Sequence, residues 1–152
     1  MPGPAIEGMR PRSLTLVFDG DCGFCTACAG LLRRLDRRGH VRLLPFQAPG
    51  VCQSLGLAPE ECQATAWAAP EGGRLARGAE AILLALGSAT GVRGIPQLYG
   101  RPRLRRAADA IYQWVARHRG RLPGVRPYCD SHPDECGRGA GAGSGDTSRL
   151  AS

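Results

Sequence analysis

The pattern of apolar and polar positions predicts a strand, a helix and a second strand at the start of the chain. Residues 14–18 (LTLVF) are continuously apolar, as expected for a strand that is covered on both faces. From Cys25 to Arg38 apolar residues recur three and four positions apart, which is typical of one face of a helix, and Gly39 is a natural end for it. His40 to Phe46 predicts the second strand. Short connections between these elements indicate a parallel pair with a right-handed crossover.

Shorter patterns follow, interrupted by turn residues. PEECQ, residues 59–63, predicts a short helical turn, and the stretches 64–69 and 74–76 on either side of the turn PEGG predict a β-hairpin. Residues 79–86 are apolar enough for a helix that packs on this sheet. Glycine and proline interrupt the region from 87 to 102.

Two amphipathic helices have regular apolar faces. In the first helix the apolar face comprises Cys28, Leu31, Leu32 and Leu35. A second amphipathic helix begins at Arg103, and its apolar stripe is assigned to the core: Leu104, Ala107, Ala108, Ile111, Tyr112 and Val115. Trp67 and Trp114 are assigned to the core as well.

These elements predict one α/β domain, with a β-α-β start followed by a β-hairpin and helices. The chain has 152 residues, of which 43% are hydrophobic, enough for one domain with its own core. We expect residues 1–13 to be a flexible lead and residues 14–128 to form the domain. Residues 129–152, ending in the low-complexity stretch GRGAGAGSGDTSRLAS, are expected to be an irregular, largely disordered tail.

Composition bears on compartment and partners. No window approaches the roughly 18 apolar residues of a membrane span, and the first residues lack the apolar core of a secretory signal, so we expect a cytoplasmic protein with no membrane partner. The net charge of +7 would suit a nucleic-acid partner, so a basic nucleic-acid binder is one hypothesis for the function. However, arginines are spread over several predicted faces and only 5% of residues are aromatic, which is poor for base stacking, so no nucleic-acid partner is expected.

The clearest chemical signal is DGDCGFC, residues 19–25, where the first strand is followed by the first helix. A helix N-terminus supplies unpaired N–H groups and partial positive charge that stabilise a thiolate, so Cys22 is the predicted nucleophile. Cys25 lies one turn further on, placed to attack a mixed disulfide at Cys22 and release the partner reduced. Asp19 and Asp21 disfavour thiolate by charge. If Asp19 is buried behind Cys25 it is a candidate base, and capping of the loop by hydrogen bonds is an equal alternative.

LVFDGDCGFC resembles the signature of the DCC family of thiol-disulfide oxidoreductases, in which D-x-x-C-x-x-C follows an apolar strand. Asp19, Cys22 and Cys25 occupy those three positions, and similarity extends through LGLAPEECQ, GAEAI and IYQWVARHRGRLPG, over roughly residues 14–129. The resemblance implies a thioredoxin-like fold, a dithiol–disulfide active site and no bound cofactor. The expected partners are a disulfide-containing protein or small molecule, and a cellular thiol reductant or oxidant for recycling.

The chain departs from thioredoxin-like enzymes at one proline. Those enzymes usually place a cis-proline before the hairpin strand that faces the dithiol, whereas Cys62 to Thr65 contains no proline. Pro96 in GIPQLY is a local mimic, but Pro102 cuts short the strand that would follow it. Peptide binding is therefore less well supported than thiol chemistry.

The remaining cysteines leave metal binding open. Cys28 extends the motif to C-x-x-C-x-x-C, but the fourth cysteine of a ferredoxin pattern is missing, and we expect a core residue, with an auxiliary resolving thiol as the alternative. Packing is expected for Cys52 and Cys62. The alternative function is a zinc-binding module, because thiolate and imidazole are suitable zinc ligands. Its ligands would come from Cys22, Cys25 and a C-terminal cluster of Cys129, His132 and Cys136. Without zinc, the two cysteines of this cluster are expected to be free thiols or to form a reversible bridge.

Overall fold

A four-stranded mixed sheet forms the centre of the computed structural model, which describes residues 14–138. The expectations for residues 1–13 and 139–152 lie outside the described residues. The strand order is β2-β1-β3-β4. β1 is parallel to β2 and antiparallel to β3, which is antiparallel to β4. The strands are β1 (Leu14–Phe18), β2 (Val41–Pro45), β3 (Trp67–Pro70) and β4 (Ala76–Arg77).

Helices connect and flank these strands. They are α1 (Gly23–Leu35), α2 (Val51–Ser54), α3 (Pro59–Ala64), α4 (Gly78–Thr90), α5 (Gly94–Gln97), a 3-10 turn (Leu98–Gly100), α6 (Pro102–His118) and α7 (Tyr128–Ser131). None of the helices within residues 14–138 has the length and hydrophobicity of a membrane-spanning segment.

The predicted β-α-β start is confirmed, with a parallel β1–β2 pair around α1. The helix ends at Leu35, three residues before the predicted end, because Asp36 redirects the backbone. The Asp36 carboxylate accepts hydrogen bonds from the backbone N–H groups of His40 and Val41, both at 2.8 Å. An aspartate that bonds nearby N–H groups competes with helix continuation, so the chain turns directly into β2.

The predicted hairpin and the helix after it are also confirmed. β3 and β4 pair across the PEGG turn, and α4 follows β4 without an intervening loop. α4 continues four residues past the predicted end at Leu86. Gly87 does not end the helix but lets Pro96 pack against it, since a Cβ at residue 87 would lie 2.7 Å from the Pro96 ring.

The main core lies between one face of the sheet and the helices α1 and α4. Alanines on α4 are almost completely buried, and their small side chains allow the helix to lie close to the sheet. The predicted α/β class is therefore confirmed, and the architecture agrees with a single thioredoxin-like domain. The buried cluster contains Leu14, Leu16, Leu32, Val41, Ala68, Ala76, Ala81, Ala85 and Ala89.

The expectation that Cys28 is a core residue is wrong, and only part of the apolar face of α1 is covered. α1 turns Ala29 and Leu32 towards the sheet. Leu31 and Leu35 are 58% and 41% exposed, and Cys28 is exposed too. Periodicity identifies a helix, but packing against the sheet selects which edge of the apolar stripe is covered.

The assignment of the α6 stripe to the core is wrong as well. Leu104, Ile111 and Trp114 are 42%, 65% and 52% exposed. α6 instead presents the side carrying Tyr112, whose hydroxyl accepts a hydrogen bond from the Ala66 N–H at 2.9 Å and lies 2.8 Å from Thr65 Oγ1. This polar contact at the start of β3 sets the rotation of the helix, which leaves Leu104, Ala107 and Ile111 exposed.

Candidate active site

The dithiol lies on the short loop between β1 and α1. Cys22 is the N-cap residue of α1 in extended conformation, and its Sγ accepts a hydrogen bond from the Cys25 N–H at 3.2 Å. The Thr26 N–H donates to the Cys22 carbonyl at 2.9 Å, which begins the helix. The Cys22 sulfur therefore occupies the N-terminus of α1 and accepts a hydrogen bond from one of its backbone N–H groups.

Cys25 is half-buried one turn further along, and it interacts with Cys22 through its thiol as well as its N–H. Burial, followed by a hydrogen bond to Cys22 and the charge of that residue, raises the pKa of the Cys25 thiol to about 12. The guanidinium of Arg119 opposes this rise, since its Nη1 donates to Cys25 Sγ at 3.5 Å. Both cysteines are free thiols in the structure, and the raised pKa keeps Cys25 protonated at neutral pH.

Asp19 is largely buried and holds the loop through several hydrogen bonds. Its Oδ1 accepts from the Asp21 N–H at 2.9 Å and from Gln47 Nε2 at 2.8 Å. Its Oδ2 lies 3.3 Å from Arg119 Nη2. Gln47 also accepts from the Gly20 N–H at 3.0 Å through Oε1. The loop-capping contacts considered in the sequence analysis are thus present, and Arg119 links this carboxylate to Cys25.

Sequence reasoning missed Arg119 and Gln47. Arg119 lies 94 residues from Cys25 along the chain, and Gln47 lies 28 residues from Asp19. Arg119 falls within IYQWVARHRGRLPG, one of the segments that resembles the DCC family, and this was the available signal. Its charge could not single it out, because the chain has 20 arginines and no lysine.

Residues 124–138, here termed the C-terminal strap, lie across the dithiol loop. The Val125 N–H donates to the Gly23 carbonyl at 3.2 Å, and the Cys129 N–H donates to the Gly20 carbonyl at 2.9 Å. Close approach requires glycine on the loop, since a Cβ on Gly20 would lie 2.6 Å from Cys129 Sγ. The strap therefore covers one side of the loop.

An ion pair ties the end of the strap to the loop. Arg138 donates to both carboxylate oxygens of Asp21, at 2.8 and 2.6 Å. This hydrogen-bonded pair lowers the pKa of Asp21. Because both side chains are partly exposed, the pair contributes at most about 1 kcal/mol to stability.

Four of the other cysteines form two disulfides, Cys52–Cys62 and Cys129–Cys136. Cys52 and Cys62 are buried, so the expectation of packing is confirmed, and the bridge considered for the C-terminal cluster is present. A cysteine in a disulfide is not a thiolate ligand. Among residues 14–138, no group of three or more cysteine, histidine and acidic side chains is placed to hold a metal, so the zinc ligand set is not assembled there.

Pro96 lies in α5, against Gly87 of α4, and so does not precede a strand. The local resemblance of GIPQLY to a cis-proline motif therefore has no structural counterpart, because the residues after Pro96 continue into the 3-10 turn.

Comparison with known proteins identifies a family for this chain. A family model described as DCC1-like thiol-disulfide oxidoreductase matches residues 16–125. The match extends from β1 to the first residues of the strap and contains Asp19, Cys22, Cys25 and Arg119. No curated protein and no solved structure matches the chain at a significant level.

Proposed function

The chain belongs to the DCC1-like thiol-disulfide oxidoreductase family, and on that premise we propose that it exchanges two electrons with a substrate disulfide through Cys22 and Cys25. One observation carries the proposal: Cys22 caps α1, and the Cys25 N–H donates to its sulfur at 3.2 Å. A nucleophilic sulfur at a helix N-terminus with a second free thiol beside it is the arrangement that a two-step exchange needs.

The first step is attack by the Cys22 thiolate on one sulfur of the substrate disulfide. The substrate S–S bond breaks, one substrate thiolate leaves with the electron pair and takes a proton from water, and Cys22 is left in a mixed disulfide. Backbone N–H donation stabilises the Cys22 thiolate before attack. Cys25 does not compete as a nucleophile, because burial, followed by its interactions with Cys22, raises its pKa to about 12.

The second step is attack by Cys25 on the Cys22 sulfur. Cys25 loses its proton, the bond between Cys22 and the substrate breaks, and the second substrate thiolate leaves. The substrate has then gained two electrons and two protons, and the protein holds a Cys22–Cys25 disulfide. A cellular thiol reductant returns the protein to the dithiol, and an oxidant would run the cycle in the opposite direction.

Asp19 is the third residue of the proposed site. Its carboxylate contacts Arg119, which in turn contacts Cys25, so Asp19 acts on the resolving cysteine through the guanidinium. The proposed catalytic domain spans residues 14–128, which is supported by the range of the family match. Disulfide-containing proteins and small disulfides are the proposed substrate classes.

The cytoplasm is the proposed compartment. Cytoplasmic reductants keep accessible thiols reduced, which would supply the dithiol form that begins the cycle. The two disulfides are protected from such reductants, because all four of their cysteines are at most 5% exposed.

Mechanism-based trapping tests the proposal. Cys25→Ser should accumulate covalent adducts on Cys22, because the second step is lost, and these adducts should disappear on addition of dithiothreitol. Cys22→Ser should form none at residue 25. Cys28→Ser is the matched control, since it removes an exposed thiol from the same helix and should leave trapping and turnover unchanged. Disulfide reduction by Cys22→Ser at the wild-type rate would exclude the mechanism.

A further inference from the structure

We propose that Arg119 is a catalytic residue of the second step, holding its guanidinium against Cys25 Sγ so that this sulfur can become a thiolate and attack the mixed disulfide. The inference rests on the proposed function and assigns a residue to one step of it. Two contacts carry it: Arg119 Nη1 donates to Cys25 Sγ at 3.5 Å, and Nη2 lies 3.3 Å from Asp19 Oδ2.

The orientation of the guanidinium is fixed from both ends. Arg119 follows the last residue of α6, so its backbone position is set by that helix. Different nitrogens of the planar group contact the sulfur and the carboxylate, which leaves little rotational freedom. A lysine carries a single nitrogen and cannot reproduce this bridging geometry.

Asp19 is itself held in place by the dithiol loop and by Gln47, which lies two residues after the end of β2. It accepts hydrogen bonds from Gln47 Nε2 and the Asp21 N–H, and Gln47 also accepts from the Gly20 N–H. Asp19 and Gln47 are therefore positioning residues, which act on Cys25 through Arg119. The carboxylate also keeps the guanidinium paired when Cys25 is neutral, so the half-buried cation is not left without a partner.

Arg119 is less strongly opposed once the mixed disulfide has formed. In the reduced protein, burial and the negative charge of Cys22 both oppose ionisation of Cys25 and raise its pKa. Once Cys22 is bonded to the substrate it carries no charge, so the contributions of its charge and its thiolate hydrogen bond disappear. Burial then remains opposed by Arg119, whose hydrogen bond and charge lower the pKa of Cys25. The first step therefore prepares the second.

The bond changes in this step balance without a further reactant. The Cys25 thiol gives its proton to water or to the departing substrate thiolate, forms the bond to Cys22 Sγ, and displaces that thiolate with its electron pair. Arg119 stays protonated throughout and stabilises the negative charge on sulfur. When the disulfide has formed, the sulfur is neutral and the guanidinium retains its pairing with Asp19.

Stopped-flow reaction of the reduced Cys28→Ser protein with the aromatic disulfide 5,5′-dithiobis(2-nitrobenzoate) separates the two steps, because this background lacks the exposed thiol that would also react. The arginine variants are made in the same background. Attack by Cys22 releases one coloured thiolate, and resolution by Cys25 releases the second. Loss of a charge-assisted hydrogen bond to the reacting sulfur should slow the second phase of Arg119→Ala about 10- to 100-fold. The first phase should change less, and Arg119→Lys should fall between Arg119→Ala and wild type.

The pH profile of the second phase distinguishes a catalytic from a merely structural role. In Arg119→Ala the rise of this rate with pH should shift to more alkaline values, because the Cys25 thiolate loses its counter-charge. Arg121→Ala is the matched control. Arg121 is exposed and lies two residues after Arg119, so its substitution removes the same charge nearby and should leave both phases unchanged.

An unchanged second phase in folded Arg119→Ala would overturn the inference, and so would an equal slowing in Arg121→Ala. If Arg119→Ala does not fold, Arg119→Lys decides, since it keeps the charge and must still slow the second phase; wild-type behaviour then refutes the assignment. Failure of the proposed function has a different signature, because the Cys28→Ser protein with Arg119 intact would itself release no second thiolate.

Discussion

Substitution of Gly124 by alanine should detach the C-terminal strap from the N-terminus of α1. A Cβ at residue 124 would lie 2.5 Å from Phe24 N and 2.6 Å from Gly23 O, whereas real Cβ atoms essentially never approach within 3.0 Å. Both neighbours are backbone atoms and cannot rotate away. The backbone φ of Gly124 is not positive, so alanine is excluded there by crowding and not by its conformational preference.

The expected loss of stability has two parts. Forcing a methyl group into a packed site costs about 1–3 kcal/mol. Displacement of the strap also breaks the hydrogen bond from Val125 N to Gly23 O, at 3.2 Å, for roughly 0.5–1.5 kcal/mol. The free energy of unfolding should therefore fall by roughly 2–4 kcal/mol, which for a domain of this size lowers Tm by about 5–15 °C.

Urea denaturation and thermal melts followed by circular dichroism measure this effect. Gly120→Ala is the control, because a Cβ there meets no atom within 4 Å and the φ of Gly120 is not positive. It should be neutral or stabilise by up to about 1 kcal/mol. If the free energy of unfolding of Gly124→Ala lies within about 0.5 kcal/mol of the wild-type value, the strap does not pack on α1 as described.

Two further predictions concern α6 and the resolving thiol. Tyr112→Phe should lower the free energy of unfolding by about 1–3 kcal/mol in urea denaturation, because the Ala66 N–H loses its acceptor. Tyr99→Phe is the control, since the Tyr99 hydroxyl donates to the side chain of Asp109. An effect of Tyr112→Phe no larger than that of Tyr99→Phe would contradict the prediction. Burial and Cys22 raise the pKa of Cys25 to about 12, so the folded reduced protein retains a proton that the unfolded chain releases near pH 8.5. The stability of the reduced protein relative to Cys25→Ala should therefore be full below about pH 8.5 and decline as pH rises towards 12, and a pH-independent difference would refute it.

The sequence patterns predicted β1, α1 and the hairpin because each depends on neighbouring residues. The run LTLVF forms β1 as predicted, and the α1 periodicity locates a helix to within three residues at either end. Leu31 and Ile111 show where such patterns stop being informative. Both belong to regular apolar stripes, yet they are 58% and 65% exposed, because the domain packs only part of each stripe.

The disulfides show the same limit. Sequence alone left the C-terminal cluster open between a zinc site, free thiols and a bridge, because all three use the same residue types. The backbone path brings the Cα atoms of Cys129 and Cys136 to 5.6 Å, within the range of a disulfide. Cys52 and Cys62 are also brought together, at a Cα separation of 6.3 Å, by packing of the segments that carry them.

By itself, the sequence determined the chemistry of the loop: two thiols three residues apart, at the point where an apolar strand is followed by a helix. Helix geometry then places Cys22 at the positive helix end with Cys25 next to it, and this depends on local backbone structure alone. Only the tertiary structure decided which arginine contacts Cys25 and which segment covers the loop. Burial and through-space charge depend on distances that the fold sets between residues as far apart as Cys25 and Arg119, and no local pattern encodes those distances.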